Sequence, residues 1–188
     1  MPWIILGVLV LIAIIAISLY NRFVQLRNRI DNAWAQVDVV LKRRYDLIPN
    51  LVETVKGYAT HERETLERVV QARNAAVAAQ GVEQQGQAEN VLTGALRQLF
   101  AVAEAYPELR ANENFQQLQG ELSATEGQIA TARQIFNDTV LNYNNAIQTF
   151  PGVLIAGPFG FSAREFLEIE EGARTVPKVD FGDTPPTT

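Results

Sequence analysis

The sequence predicts an all-α protein in which one N-terminal transmembrane helix continues into an elongated antiparallel four-helix bundle of up-down-up-down order. Three observations predict this fold. The first 21 residues contain no Asp, Glu, Lys, Arg or His and are mostly Ile, Leu, Val and Ala. Apolar residues then recur every three or four positions, as on one face of a helix. From Phe115 to Phe150 they follow a heptad repeat, which suits packing between long helices.

The N-terminal apolar run, residues 1–21, is predicted to be a transmembrane anchor. About 18 to 20 helical residues span roughly 27 to 30 Å, the thickness of the hydrocarbon core of a bilayer. Two alternatives are a cleaved signal peptide and a helix buried in a soluble oligomer. A signal peptide fits poorly because nothing basic precedes the run and the run is too long. The anchor residues are predicted to be Trp3, Leu6, Leu9, Ile12, Ile15 and Leu19.

The charges beyond the anchor predict its orientation. Residues 22–44 carry six basic and two acidic side chains, whereas residues 45–188 carry ten basic and nineteen acidic side chains. The basic side of a single span usually stays in the cytoplasm, so we expect the N-terminus outside and the body inside. Arg22, Arg27 and Arg29 lie nearest the membrane and are predicted to contact anionic lipid.

The composition of the body excludes several kinds of function. The chain contains no cysteine, which excludes disulfides, thiolate nucleophiles and cysteine-bound metals. The net negative charge of residues 45–188 argues against a nucleic-acid partner. About 165 residues follow the anchor, enough for one domain with a hydrophobic core.

The first two helices are predicted from apolar spacing and from a capping signal. No Gly or Pro interrupts residues 21–48, so the anchor is expected to continue as one rigid helix. Asp46 then resembles an N-cap with Pro49 in the first turn, which predicts a second helix over residues 47–80. The stripe of the first helix comprises Phe23, Leu26, Ile30, Trp34, Val37, Leu41, Tyr45 and Ile48.

The remaining bundle helices are separated by breaker residues. Residues 81–89, rich in Gly and Gln, are predicted to form a loop before a third helix over residues 90–105. Asn112 is expected to cap the fourth helix, and Pro151-Gly152 to end it. The heptad positions of the fourth helix are Phe115, Leu118, Leu122, Thr125, Ile129, Ala132, Phe136, Thr139, Tyr143, Ala146 and Phe150.

The bundle of residues 22–150 is followed by two further segments. Residues 151–171 are apolar and then acidic, with a possible short helix over residues 162–171, and residues 172–188 are expected to be extended or disordered. The fourth helix should run back to the membrane, so its end is expected at the headgroups or, alternatively, under the bundle or in an oligomer contact. The interfacial or oligomer-contact residues are predicted to be Phe150, Leu154, Ile155, Phe159, Phe161, Val179 and Phe181.

A series of motifs resembles the LemA family of bacterial membrane proteins. They are Ala33-Trp34-Ala35-Gln36-Val37-Asp38, Arg44-Tyr45-Asp46-Leu47-Ile48-Pro49-Asn50-Leu51-Val52, Val55-Lys56-Gly57-Tyr58-Ala59, Ala105-Tyr106-Pro107-Glu108-Leu109, Asn112-Glu113-Asn114-Phe115 and Phe136-Asn137-Asp138-Thr139-Val140. The resemblance covers roughly residues 20–170 and implies a single N-terminal span, an elongated helical domain and the bacterial inner membrane. The resemblance does not imply a particular biochemical activity. Genes of the family often lie near those of membrane metalloproteases.

The residues that carry chemistry elsewhere are better interpreted as structural here. His61-Glu62 lacks the second His, four positions on, that a zinc protease helix needs, and one His excludes a di-iron bundle site. We therefore predict no catalytic, cofactor or metal site. Lys42-Arg43-Arg44 is interpreted as a solvated helix face. Trp34, Leu41, Phe136 and Tyr143 are predicted to lie in the core.

The sequence thus predicts a non-enzymatic, membrane-anchored scaffold that forms homo-oligomers. The alternative is an adaptor or regulator of a membrane protease or another envelope complex. The predicted partners are the lipid bilayer, further copies of the chain and, in the alternative, another membrane protein.

Overall fold

The longest element of the structure, a computed structural model that describes residues 2–169, is the helix α1, Pro2–Lys56. Its 55 residues correspond to about 80 Å at 1.5 Å per residue. Side chains before Phe23 are largely exposed, and α1 is the described helix that is long and apolar enough to cross a membrane. The rest of α1 buries one stripe, formed by Phe23, Ile30, Ala33, Val37, Leu41, Arg44, Tyr45, Ile48, Leu51, Val52 and Val55.

The predicted break before Pro49 is wrong, because α1 continues through this proline and ends at Lys56. Proline removes one hydrogen bond from a helix, but Ile48, Leu51 and Val52 on either side of it are buried in the core and hold the helix together. A turn begins at Gly57, and α2, Arg63–Ala78, follows it.

The predicted loop over residues 81–89 is also wrong, since these residues form the first turns of α3, Gly81–Ala103. Gln85, Glu89, Leu92 and Leu96 recur at helical spacing and are all buried. This tertiary packing outweighs the weak helix preference of glycine. Gly81 itself has a φ of +82°, which allows the sharp reversal from α2 into α3.

The helix α5, Glu113–Gln148, has the start that the sequence predicts. It follows a short helix α4, Pro107–Arg110, and the side chain of Asn112 accepts a hydrogen bond from the Phe115 backbone N–H at 3.0 Å. Most of the heptad stripe is buried, whereas Leu118, Thr139 and Ala146 are half-buried. The last member, Phe150, lies beyond the helix and is 80% exposed.

The helices α1 and α5 pack along each other in opposite directions. Phe23 lies against Gly152, the rings of Trp34 and Phe136 are 5.3 Å apart, and Arg44 contacts Glu126. The helix α2 packs on both α1 and α3. The predicted core positions Leu41, Phe136 and Tyr143 are buried, and Trp34 is half-buried.

Beyond α5 the chain turns back through α6, Gly152–Ala156, and residues 161–169 then run along α5 without forming a helix or a strand. The short helix considered for residues 162–171 is therefore wrong for the described part. Side chains of α5 hydrogen-bond the backbone of this segment, which occupies the groups that a helix would use internally. The prediction for residues 172–188, which include Val179 and Phe181, lies outside the described residues.

Candidate functional site

The end of the apolar part of α1 meets the chain that returns from α5. Tyr20 makes edge-to-face contacts with Phe159 and with Phe161, with ring centroids 5.5 Å apart in each case. Phe23 contacts Phe161 in the same way at 5.3 Å. We call Tyr20, Phe23, Phe159 and Phe161 the exit cluster. It fixes residues separated by some 140 positions at the place where the chain leaves the apolar segment.

A glycine makes this close return of the chain possible. A Cβ atom at Gly152 would lie 3.0 Å from Phe23 Cζ and would overlap the carbonyl oxygen of Ala146. Only glycine therefore allows α6 to pack so tightly on both α1 and α5. The sequence pattern identified Pro151-Gly152 as a helix end, and the structure gives Gly152 this additional packing role.

The predicted interfacial residues divide into two groups. Phe150, Leu154 and Phe159 are exposed beside the end of the apolar segment, whereas Phe161 is buried and Ile155 is half-buried. A group of large exposed apolar side chains often marks a surface that contacts a partner or a membrane. We call Phe150, Leu154 and Phe159 the apolar rim.

The predicted anchor residues precede Tyr20 along α1, and the predicted lipid-contact residues follow it. The side chains of the anchor are exposed along α1, except that Leu19 is half-buried. Arg22 and Arg29 are exposed, and the guanidinium of Arg27 lies 5.8 Å from the ring centroid of Phe161. This cation–π contact ties Arg27 to the exit cluster while its charge faces outward.

A second unusual feature is a buried polar cluster in the middle of the body. Arg44 Nη1 donates to Glu89 Oε2 at 2.8 Å, and both side chains are essentially inaccessible to solvent. Arg44 Nη2 also donates to Thr93 at 2.8 Å and lies 2.6 Å from the half-exposed carboxylate of Glu126. Arg44 therefore connects α1 with α3 and α5 through charge-assisted hydrogen bonds.

The carboxylate of Glu89 is held from a second side. The Tyr45 hydroxyl and Gln85 Nε2 both donate to Glu89 Oε1, the latter at 3.0 Å. Arg73 Nε donates to the backbone carbonyl of Tyr45 at 3.1 Å, which adds α2 to the cluster. Four helices thus meet in one network, which fixes their relative register.

Burial changes two ionisation equilibria in this cluster. Burial, reinforced by the hydrogen bond to Glu89, raises the pKa of Tyr45 far above its ordinary value, so its hydroxyl stays protonated. Burial also raises the pKa of Glu126. The positive charge of Arg44 opposes this rise, whereas the negative charge of Glu89 adds to it. The cluster is a structural centre, because its charged groups are already paired with one another.

A family model provides the decisive comparison. The model described as the LemA family matches residues 33–181, which is most of the chain. This protein belongs to the LemA family. The match begins after the apolar segment and covers both the buried polar cluster and the returning segment, so the resemblance of the motifs is confirmed.

Two individual relatives share 28% and 27% sequence identity with this chain over the matched residues. The Protein LemA of Metamycoplasma hominis is 28% identical over 135 residues, which cover 69% of this chain. The chain spans 60% of the length of that relative. Magnetosome protein MamQ of Magnetospirillum gryphiswaldense is 27% identical over 190 residues, covering 86% of this chain and 70% of the relative. With the apolar helix, these relatives indicate that this LemA-family chain is a membrane protein.

The sequence reasoning missed the buried cluster of this LemA-family protein. Arg44 was assigned to a solvated face and Glu89 to a loop, and both assignments are wrong. A signal was present, because Arg44 lies three positions after Leu41 and four before Ile48, on the buried stripe. Arg73 also belongs to the cluster because it donates to the carbonyl of Tyr45.

The histidine considered as a metal ligand lies in the turn after α1. His61 is exposed, and its neighbour Glu62 accepts a hydrogen bond from the Tyr106 hydroxyl at 3.1 Å. Within residues 2–169 no three His, Cys, Asp or Glu side chains lie close enough together to hold a metal ion. Glu62 therefore has a structural role: it links the turn to the chain before α4.

Proposed function

We propose that this LemA-family protein is a non-enzymatic scaffold that is anchored in the bacterial inner membrane and self-associates there. The observation that carries the proposal is the continuity of α1 from the apolar segment into the core. An unbroken helix transmits the position and tilt of the anchor directly to the body. A scaffold needs such a fixed geometry, whereas a freely linked domain would not hold its partners in a defined arrangement.

The body is proposed to be an up-down-up-down bundle of α1, α2, α3 and α5. Two features support this arrangement: α1 and α5 run in opposite directions, and short turns join α1 to α2 and α2 to α3. Such a bundle returns the end of α5 to the membrane. The proximity of Phe159 to Tyr20 agrees with this return.

The apolar rim is proposed to enter the headgroup region of the bilayer. Its three residues lie beside the end of the anchor, and a short apolar segment fits an interfacial position better than a spanning one. Three basic residues near the rim would then face anionic lipid headgroups: Arg22, Arg27 and Arg29. The excess of basic residues there favours an N-terminus outside and a body in the cytoplasm.

Self-association is supported by large apolar side chains that the body leaves exposed. Val39, Ile135 and Leu141 are 67%, 46% and 48% exposed and lie on the two long helices α1 and α5. Contact between copies would cover them. Anchoring in one membrane also raises the local concentration of the copies, so weak contacts suffice.

An adaptor for another membrane protein is the second candidate. A groove of about 630 Å³ between the end of α1 and α2 supports it, because Val52, Leu66 and Val70 line the groove among charged residues. Its position at the end of α1, far along the helix from the anchor, would suit a partner that approaches from the cytoplasm.

Co-capture separates the two candidates. Two copies of the full chain with different tags are co-expressed, extracted with a polymer that retains lipid, and captured through one tag. The scaffold proposal expects the second tag as the main co-captured species. Capture of one different membrane protein without the second tag would contradict the scaffold and support the adaptor.

A further inference from the structure

The extended segment 161–169, which we call the strap, lies on α5 and is bound mainly through its backbone. Asn144 Nδ2 donates to the carbonyl of Arg164 at 2.9 Å, and Asn144 Oδ1 accepts from the Arg164 backbone N–H at 2.9 Å. One asparagine side chain thus satisfies both backbone groups of one residue, as a neighbouring β-strand would.

A second asparagine repeats this contact. Asn137 Nδ2 donates to the carbonyl of Leu167 at 3.1 Å, and Asn137 Oδ1 accepts from the Leu167 N–H at 2.9 Å. The asparagines are one heptad apart, which corresponds to about 10.5 Å along a helix. Their targets are three residues apart, which corresponds to about 10 Å along an extended chain. Because the two lengths agree, the asparagines hold the strap extended between Arg164 and Leu167.

Further contacts complete the groove that holds the strap. The Tyr143 hydroxyl donates to the carbonyl of Ser162 at 3.0 Å, and Arg133 Nη1 donates to that of Ile169. The side chain of Leu167 is buried. On α3, a Cβ atom at Gly86 would lie 2.6 Å from the carbonyl oxygen of Glu168, so a glycine is needed for the strap to fit.

These contacts recognise an extended backbone with an apolar side chain at the position of Leu167. Backbone hydrogen bonds provide binding that does not depend on sequence, as in strand addition to a sheet edge. Within one chain, the strap therefore occupies a groove between α3 and α5 and is bound there mainly through its backbone.

The strap is joined to α6 by a short connection that contains two glycines. Residues 157–160 have the sequence Gly-Pro-Phe-Gly, and Gly160 adopts a φ of +72°, which side chains other than glycine rarely allow. Four extended residues reach about 13 Å. Packed helices lie about 8 to 10 Å apart, so this connection can cross to an adjacent copy.

We propose that the strap exchanges between copies, so that residues 161–169 of one chain occupy the α3–α5 groove of a second chain. Every contact made within one chain is equally available between two chains, which is the condition for domain swapping. Exchange would carry Phe159 and Phe161 from their own Tyr20 to the Tyr20 of the second chain, where the same ring contacts re-form. The proposal rests on the proposed self-association and gives it a mechanism.

Cysteine pairs provide a direct test because the chain contains no cysteine. Gln134 on α5 and Glu168 in the strap line the same groove, and both are exposed. Full-length Q134C and E168C chains with different tags are co-expressed and treated in membranes with a short bismaleimide. Exchange should join the two tags about tenfold more efficiently than a Q71C and E168C control, because docking raises the local thiol concentration. Gln71 lies on α2 beside a different groove.

Two further variants distinguish crosslinking within one chain from crosslinking between two chains. The double variant Q134C/E168C reports crosslinking within one chain and shows that the groove is occupied. Adding N137A and N144A should reduce the crosslink between chains to the level of the control. Crosslinking only within the double-cysteine chain, with co-capture of the tags intact, would overturn exchange but leave self-association standing. Loss of co-capture as well would overturn both.

Discussion

The guanidinium of Arg44 and the carboxylate of Glu89 lie 2.8 Å apart, and neither side chain is exposed to solvent. The pair joins α1 to α3, while Tyr45, Gln85, Thr93 and Glu126 supply the other partners. Burial removes the hydration of both charges, so each depends on the other. This relationship leads to the first two predictions.

Removing one charge of the buried pair should be strongly destabilising. The substitution Glu89→Gln retains the shape of the side chain but removes the buried counter-charge of Arg44 and leaves only the half-exposed Glu126 to pair with it. We therefore expect a loss of about 3 kcal/mol in the free energy of unfolding. Denaturant unfolding of the full chain in detergent, followed by circular dichroism, measures it. A midpoint equal to that of the unmodified chain would show that Glu89 does not hold Arg44 in place.

Glu126→Gln is the matched control for this prediction. Glu126 is bound to the same guanidinium but is half-exposed, so its ion pair should contribute less than about 1 kcal/mol. The double substitution Arg44→Met with Glu89→Met should recover much of the loss, since it removes both buried charges together. A double variant as unstable as Glu89→Gln would instead implicate the hydrogen bonds that Tyr45, Gln85 and Thr93 lose with the pair.

The raised pKa of Glu126 predicts that the difference in stability between Glu126→Gln and the unmodified chain depends on pH. The ordinary pKa is 4.5, and burial, the largest cause, raises it in the folded chain. As pH rises above this value, the unfolded chain loses its proton first, so the Glu126 contribution to stability falls. The stability of Glu126→Gln relative to the unmodified chain should therefore increase from about pH 4.5 towards neutrality. A difference that does not change with pH, or that falls, would contradict the assignment.

The sequence was sufficient for the parts of the fold that depend on local pattern. The uncharged segment, the stripe from Phe23 to Ile48 and the Asn112 cap each depend on residues close together in the chain. The predicted helix boundaries were wrong where tertiary packing outweighed the local helix preference of a residue. Pro49 lies within a helix that is packed on both sides of it, and Gly81 begins a helix whose next turns are buried.

Less of the candidate sites than of the fold could be predicted from the sequence. The return of Phe159 and Phe161 towards the anchor followed from helix lengths and the direction of α5. The buried pair did not, because Arg44 and Glu89 are 45 positions apart and charged residues are usually solvated. The asparagine contacts of the strap were also missed, since no local pattern links Asn137 to Leu167.

The apolar rim should contact lipid if it lies in the membrane interface. In a background where Trp3 and Trp34 are replaced by Phe, the substitution Phe159→Trp places one fluorophore at the rim. Brominated lipids should quench it strongly because the exit cluster holds position 159 beside the end of the anchor. Val77→Trp in the same background is the control, since Val77 is exposed but lies at the end of α2. Equal, weak quenching at both positions would favour an oligomer contact for the rim.

The orientation of the chain predicts its accessibility to protease. The basic residues between Arg22 and Arg44 should keep the body in the cytoplasm, so protease added outside spheroplasts should leave it intact. The same protease should digest the body after the membrane is permeabilised. Digestion in sealed spheroplasts would show the reverse orientation.

The number of chains in one native-lipid particle tests the central proposal most directly. Full-length chains, each carrying one fluorescent tag, are extracted with their surrounding lipid at low expression and examined by single-molecule photobleaching. The proposal of a self-associating scaffold expects particles with more than two bleaching steps. A population that bleaches in a single step, with tagging shown to be complete, would contradict it.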